Sequence, residues 1–152
     1  MPTDSDRHRI LCAGTNLKIA ARATGRLYDR ALAPFDINTM QYAILANIAR
    51  AGSIPTMALS DKLSIERTAL YRALAVLERR GLIRTEAGRG REQILSLTDE
   101  GATLRLRAKA AWEVTQYAFV DAFGEDWPAF LAMLERARAI SEGLSDTVEG
   151  AP

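Results

Sequence analysis

A mainly α-helical fold carrying one small β-hairpin is what this sequence predicts, and three observations predict it. Apolar residues recur every three or four positions along a long segment near each end of the chain, the spacing of helices that pack lengthwise on other helices. Three short apolar segments, separated by cap and turn residues, fill the middle. Directly after them, two short β-prone runs flank a turn rich in glycine and arginine. The 152 residues, 48% hydrophobic and 26% charged, are enough to bury a core and suit one soluble globular domain over 1–152.

The first helix runs from Arg9 to Leu32, with Ile10, Ala13, Leu17, Ala20, Thr24, Leu27 and Ala31 along one seam. Pro34 stops it, because proline lacks an amide donor and clashes with the preceding turn. Asn38 followed three residues later by Gln41 has the form of a capping box, in which each side chain satisfies an amide that the helix start leaves free. Tyr42, Ile44, Leu45 and Ile48 then carry a short helix to Gly52. Ser53, Ile54 and Pro55 make a connector with strand character, and Thr56 is placed to cap a second short helix over 57–63. Ser64 and Ile65 turn the chain, and Glu66 to Arg80 forms the third. Gly81 closes it, since glycine takes the left-handed conformation without steric cost and lets Leu82 pack back on Leu77.

Leu82–Glu86 and Gln93–Leu97 are the strand candidates, joined through Ala87, Gly88, Arg89, Gly90 and Arg91. Thr98 caps a long helix whose first turn holds Asp99 and Glu100, negative groups at the positive helix end. Leu104, Ala108, Ala111, Thr115, Ala118 and Ala122 line one of its faces. Asp126 and Pro128 open the last helix, with Phe130, Leu134, Ala137 and Ile140 on its apolar side. Three helices followed at once by a hairpin is the winged helix-turn-helix pattern.

The net charge of +1 conceals a partition. Residues 1–61 carry +2, residues 62–92 hold eight basic and four acidic side chains, and residues 93–152 hold five and ten. The +4 segment covers the third short helix and the hairpin, the two parts of such a motif that address a duplex. With Leu70, Leu74 and Leu77 facing inward, Arg67, Thr68, Tyr71 and Arg72 fall on or beside the outward face. Arginine can be bidentate to guanine O6 and N7, threonine or Ala69 can meet a thymine methyl, and tyrosine can reach a phosphate. Thr56, at the start of the first helix of the pair, joins the candidate DNA contacts. Arg89 and Arg91 in the turn support no core and can reach a minor groove or phosphates.

Other chemistries lack their residues. One histidine, His8, and one cysteine, Cys12, leave no material for a Ser-His-Asp set, a metal centre or an intrachain disulfide. Gly88-Arg89-Gly90 has no following helix of the kind a phosphate loop requires. No catalytic residue, metal or cofactor is therefore expected. The charged start MPTDSDRHRI and the lack of a membrane-length apolar run point to a cytoplasmic protein. A winged helix used for protein interaction is the other reading, but it would show an apolar patch where these arginines stand.

The run TALYRALAVLERRGLIRTEAGRGREQILSLTDEG, preceded by RLYDRALAPFDINTMQYAIL, resembles the MarR family of bacterial transcriptional regulators. The likeness extends over residues 9–143, and LERRGLI followed by LSLTDEG is its most specific part. It implies a homodimer whose helices over 9–33 and 99–145 interlock, leaving a winged helix-turn-helix lobe over 37–98 to read half of a pseudo-palindromic operator in double-stranded DNA. The apolar stripes of the terminal helices fit that use. It also implies a repressor released by a small phenolic or aromatic-acid ligand bound between the dimer helices and the lobe, its lining drawn from the first helix, the helix containing Met40, Gln41 and Ile44, and the start of the long fifth helix. The family wing carries Asp-x-Arg ahead of its second strand; here Arg91 holds the Arg position and Arg89 replaces the Asp, so a brace is lost and a charge gained. One branch of the family senses organic hydroperoxides through a first-helix cysteine. Registered on Tyr28 and Gln41-Tyr42, Cys12 falls two residues early and Asn16 stands where that branch has a tyrosine, which favours an ordinary helical cysteine.

Overall fold

In a computed structural model the chain is described over residues 12–148. The expected start of the first helix at Arg9 and Ile10 lies outside the described residues. The elements are α1 (Ala13–Leu32), a 3-10 turn (Ala33–Phe35), α2 (Thr39–Ala51), β1 (Ser53–Pro55), α3 (Thr56–Leu63), α4 (Arg67–Arg79), β2 (Ile83–Ala87), β3 (Gln93–Leu97), α5 (Asp99–Phe123), a second 3-10 turn (Gly124–Asp126) and α6 (Trp127–Val148). They form two compact units, one up to Thr115 and one from Gln116, with α5 running through the boundary. No helix among the described residues is long and apolar enough to cross a membrane.

Local chemistry sets the boundaries. The capping box is complete: Asn38 Oδ1 accepts from the Gln41 amide at 2.9 Å, and Gln41 Oε1 accepts from the Asn38 amide at 3.0 Å. Gly81 has φ +68, its amide donates to the Glu78 carbonyl and the Leu82 amide to the Leu77 carbonyl, both at 2.9 Å, which is the expected Schellman end of α4. Thr98 Oγ1 accepts from the Gly101 amide at 3.0 Å and donates to the Gly81 carbonyl at 2.6 Å, so one hydroxyl both caps α5 and ties it to the end of α4.

Ser53–Pro55 has the expected strand character, and as β1 it pairs antiparallel with β3 through Ile54 and Leu95, extending the hairpin to a three-stranded sheet in the order β1-β3-β2. One expectation changes. Thr56 is not a cap, since Pro55 holds that position and makes no side-chain bond there. Thr56 is instead buried and its hydroxyl donates to the Gln93 carbonyl at 3.2 Å, fastening the start of α3 to the wing.

The core of the larger unit joins Leu32, Ile44, Leu45, Ile48, Leu59, Leu70, Leu77 and Leu95, all fully enclosed. Each such side chain contributes about 1.5–3 kcal/mol by leaving water. Of α1 only Tyr28 and Leu32 are buried, and neither belongs to the predicted seam; the seam residues Leu17 and Leu27 are exposed. In the smaller unit the rings of Phe119, Phe123, Trp127 and Phe130 pack together, with Phe123 stacked on Phe130 at 4.5 Å, and this cluster holds the α5–α6 corner.

Candidate nucleic-acid interface

The turn before α4 is held from both sides. Ser64 adopts a left-handed φ of 49, the Ile65 amide donates to the Ser60 carbonyl at 3.2 Å, and the buried Ser60 hydroxyl donates to the Ile65 carbonyl at 2.8 Å. From that fixed start α4 buries Leu70, Ala73, Leu74 and Leu77, so the opposite face is the one left to solvent. Arg67, Thr68, Tyr71 and Arg72 are exposed there, whereas Ala69 is half-buried at its edge.

The wing is the β2–β3 hairpin, in register from Ile83 against Leu97 to Ala87 against Gln93. The Gly88 amide donates to the Glu92 carbonyl at 2.8 Å and the Glu92 amide to the Arg89 carbonyl at 3.2 Å, closing the tip. Gly90, at φ +65, makes the reversal that sets Arg89 and Arg91 on either side, both exposed. Arg84 is a further exposed cation on β2; the alternation of that strand, Ile83 inward and Arg84 outward, was the signal for it. Among the described residues no ion pair engages Arg67, Arg72, Arg84, Arg89 or Arg91. Their charges are not neutralised within the described chain, which is the state in which guanidinium groups can replace counterions on a phosphate backbone.

A second feature lies between α2 and the first part of α5. A cleft of about 460 Å³ is lined by Thr39, Tyr42, Asn47, Arg50, Arg105, Lys109 and Trp112 among others. Its floor is aromatic: Trp112 stacks on Tyr42 with centroids 5.6 Å apart and meets Tyr28 of α1 at 6.3 Å. Burial pushes the Tyr42 hydroxyl above its ordinary range, Arg105 opposes that and Glu113 adds to it. The buried Arg105 Nε has no hydrogen-bond partner among the described residues. None of Met40, Gln41 and Ile44 borders this cleft. Ile44 is fully enclosed in the core, Gln41 closes the capping box and borders a separate cleft beside Asp36, Asn38 and Arg80, and Met40 is exposed. On α5, whose first part the resemblance also places in the lining, Arg105, Lys109 and Trp112, spaced four and three apart, form the stripe that faces this cleft.

The sequence model of the MarR family matches residues 35–92, from the corner after α1 to the wing. The transcriptional regulator MosR of M. tuberculosis, solved in complex with DNA, is 32% identical over 88% of this chain and 98% of its own, with a TM-score of 0.80. A second MosR structure is 30% identical over 93% and 98%, with a TM-score of 0.70. The chain belongs to the MarR family of transcriptional regulators. A cysteine-to-serine mutant of E. coli MarR, solved with operator DNA, is 23% identical over 85% and 94% of the two chains at a TM-score of 0.73 and supports the winged-helix fold. No curated protein matches the chain.

The wing tip offers two arginines, Arg89 and Arg91, and neither is braced by an ion pair among the described residues. Cys12 is the exposed N-cap of α1. The amide of Thr15, then its hydroxyl and the Gly14 amide, draw the thiol below its ordinary range; no tyrosine contributes.

Proposed function

We propose that this MarR-family chain is a homodimeric, sequence-specific DNA-binding repressor, acting in the cytoplasm on a pseudo-palindromic operator and released by a small aromatic acid. One observation carries the DNA-binding reading: the outward face of α4 and the tip of the wing together present Arg67, Arg72, Arg89 and Arg91, exposed and without ion pairs among the described residues. Arg67, Thr68 and Arg72 read base edges in the major groove, Tyr71 contacts a phosphate or base, and Arg84, Arg89 and Arg91 hold the flanking backbone and minor groove. Ala69 borders the helix face. Thr56 serves from beneath, by holding the start of α3 on the wing strand. MosR was crystallised with DNA, which supports the same partner here.

The α2–α5 cleft supports the effector reading. An aromatic floor of Tyr42 and Trp112 below Arg50, Arg105 and Lys109 suits a flat ring bearing a carboxylate. The dimer reading rests on the exposed seam of α1, and residues over 9–33 and 99–145 form its interface.

Enrichment of binding sites from random duplex DNA tests the function. The wild type selects a two-part site, and Arg72→Ala retains binding but loses about 1–3 kcal/mol of discrimination at one position per half-site. An unchanged preference in Arg72→Ala, or no enrichment by the wild type, overturns the docking.

A further inference from the structure

Arg80 stands just past the recognition helix, at the C-cap of α4, yet its side chain leaves that helix for the corner between α1 and α2. Its Nη1 donates to the Asp36 carbonyl, its Nη2 donates to the Phe35 carbonyl at 3.5 Å, and the same Nη2 lies 3.6 Å from Asp36 Oδ2. Asp36 holds a left-handed φ of 54 at this corner and its amide donates to the Ala33 carbonyl at 2.9 Å. Two other groups grip it. Asp29 of α1 accepts from the amide and hydroxyl of Thr39 at 2.7 and 2.6 Å, and the Arg107 guanidinium of α5 lies 6.0 Å from the Phe35 ring centroid.

The corner matters because the junction it makes is small. Helix α1 commits only Tyr28 and Leu32 to the core, so its angle to the lobe is set by those two side chains and by the polar groups at its end. A guanidinium fork across two consecutive carbonyls, with a carboxylate beside it, is directional where apolar packing is not. We infer that Arg80 is a positioning residue: it is the strut that sets the angle between α1 and the DNA-reading helix and so determines the half-site spacing the dimer accepts. The inference rests on the dimeric DNA-binding reading above. In a two-fold dimer joined through α1, a change of that angle moves the two recognition helices apart or together without altering what either reads. Arg80 touches no base in this scheme, and its effect appears in the spacing between half-sites.

The test measures affinities of wild type and Arg80→Met for the selected operator, for versions with one or two base pairs added or removed between half-sites, and for a single half-site. Methionine keeps the apolar stem and removes the fork. The expected result is a loss of about tenfold on the optimal spacing, little change on the altered spacings, and unchanged half-site affinity, so that the spacing profile flattens. Base preference within each half-site stays that of the wild type. A profile parallel to that of the wild type, whether lowered at every spacing or not lowered at all, overturns the strut while leaving DNA binding intact. Failure of the wild type to enrich any site overturns both. Should Arg80→Met not fold as a dimer, Arg80→Lys, which keeps stem and charge but cannot span two carbonyls, carries the same comparison with the same two outcomes.

Discussion

Gly101 occupies a position where no side chain fits. A Cβ there would lie 1.9 Å from the Leu82 carbonyl oxygen and 2.9 Å from its carbon, and these are backbone atoms that cannot swing aside. The Leu82 carbonyl also accepts from the Thr98 amide at 3.2 Å, so displacing it loosens the cap of α5 and its tie to Gly81 together. Gly101→Ala is expected to cost about 3 kcal/mol or more, read from the midpoint of chemical denaturation. A variant as stable as the wild type would show that α5 can retreat from Leu82. At the wing the decisive residue is Arg89, which stands where the family resemblance expects an acid. In the proposed dimer each of two wings carries this cation. Arg89→Asp should therefore flatten the dependence of log Kd on log salt by about two phosphate equivalents, while discrimination between specific and random duplex rises. An unchanged slope in Arg89→Asp would mean that Arg89 does not meet phosphate.

Among the elements, α2 and α5 are joined through the Tyr42–Trp112 stack, which gives this contact a pH limit. Burial raises the Tyr42 hydroxyl above its ordinary value of 10.0, and Tyr28 is raised by burial in the same way. The protonated phenol is the form the fold accepts. Its stabilisation is complete below the unfolded value and is lost as pH rises through the raised folded value. Tyr42→Phe, which cannot ionise, should move the alkaline unfolding limb to higher pH while leaving neutral-pH structure in place, as followed by near-ultraviolet circular dichroism. An unmoved limb would assign alkaline unfolding to other groups. The same elements show what a sequence can and cannot tell. The Asn38–Gln41 box, the Gly81 end and the Thr98 cap are all legible, because each is made by residues within five positions of one another. Thr56 reads as a cap because its true partner, Gln93, lies 37 residues away. The cleft face of α2 is not legible because Tyr42, Ile44, Leu45 and Ile48 are all buried, so periodicity does not say which side meets α5. The exposed arginines of α4 and the wing are legible, since the buried leucines fix the opposite face; the Arg80 fork, reaching 44 and 45 residues back, is not.

For the whole molecule, the proposed dimer explains a surface that a lone chain would not maintain. Leu17 and Leu27 on α1, Val114 and Tyr117 on α5, and Leu134 and Ile140 on α6 are all exposed, Val114 by 70% and Tyr117 by 63%. Exposed apolar residues on each of these helices are what the proposed second copy would cover. The charge partition fits the same proposal: the +4 segment, residues 62–92, holds α4, β2 and the wing tip, the parts proposed to face the duplex, while residues 93–152 carry −5. Introducing Leu17→Glu together with Ile140→Glu places charge at exposed positions of α1 and α6, both outside residues 37–98. Sedimentation should then give a monomer with the helical content of the wild type. Because each monomer keeps its reading helix and wing, half-site affinity should persist, whereas affinity for the full operator should fall by about 10²–10⁴, the avidity lost with the second lobe. The wild type, in turn, should protect two half-sites whose centres lie about 10 base pairs, one helical turn, apart. A double variant that still sediments as a dimer would place the interface elsewhere, and one that is monomeric yet binds the full operator at wild-type affinity would show that each chain reads its half-site alone.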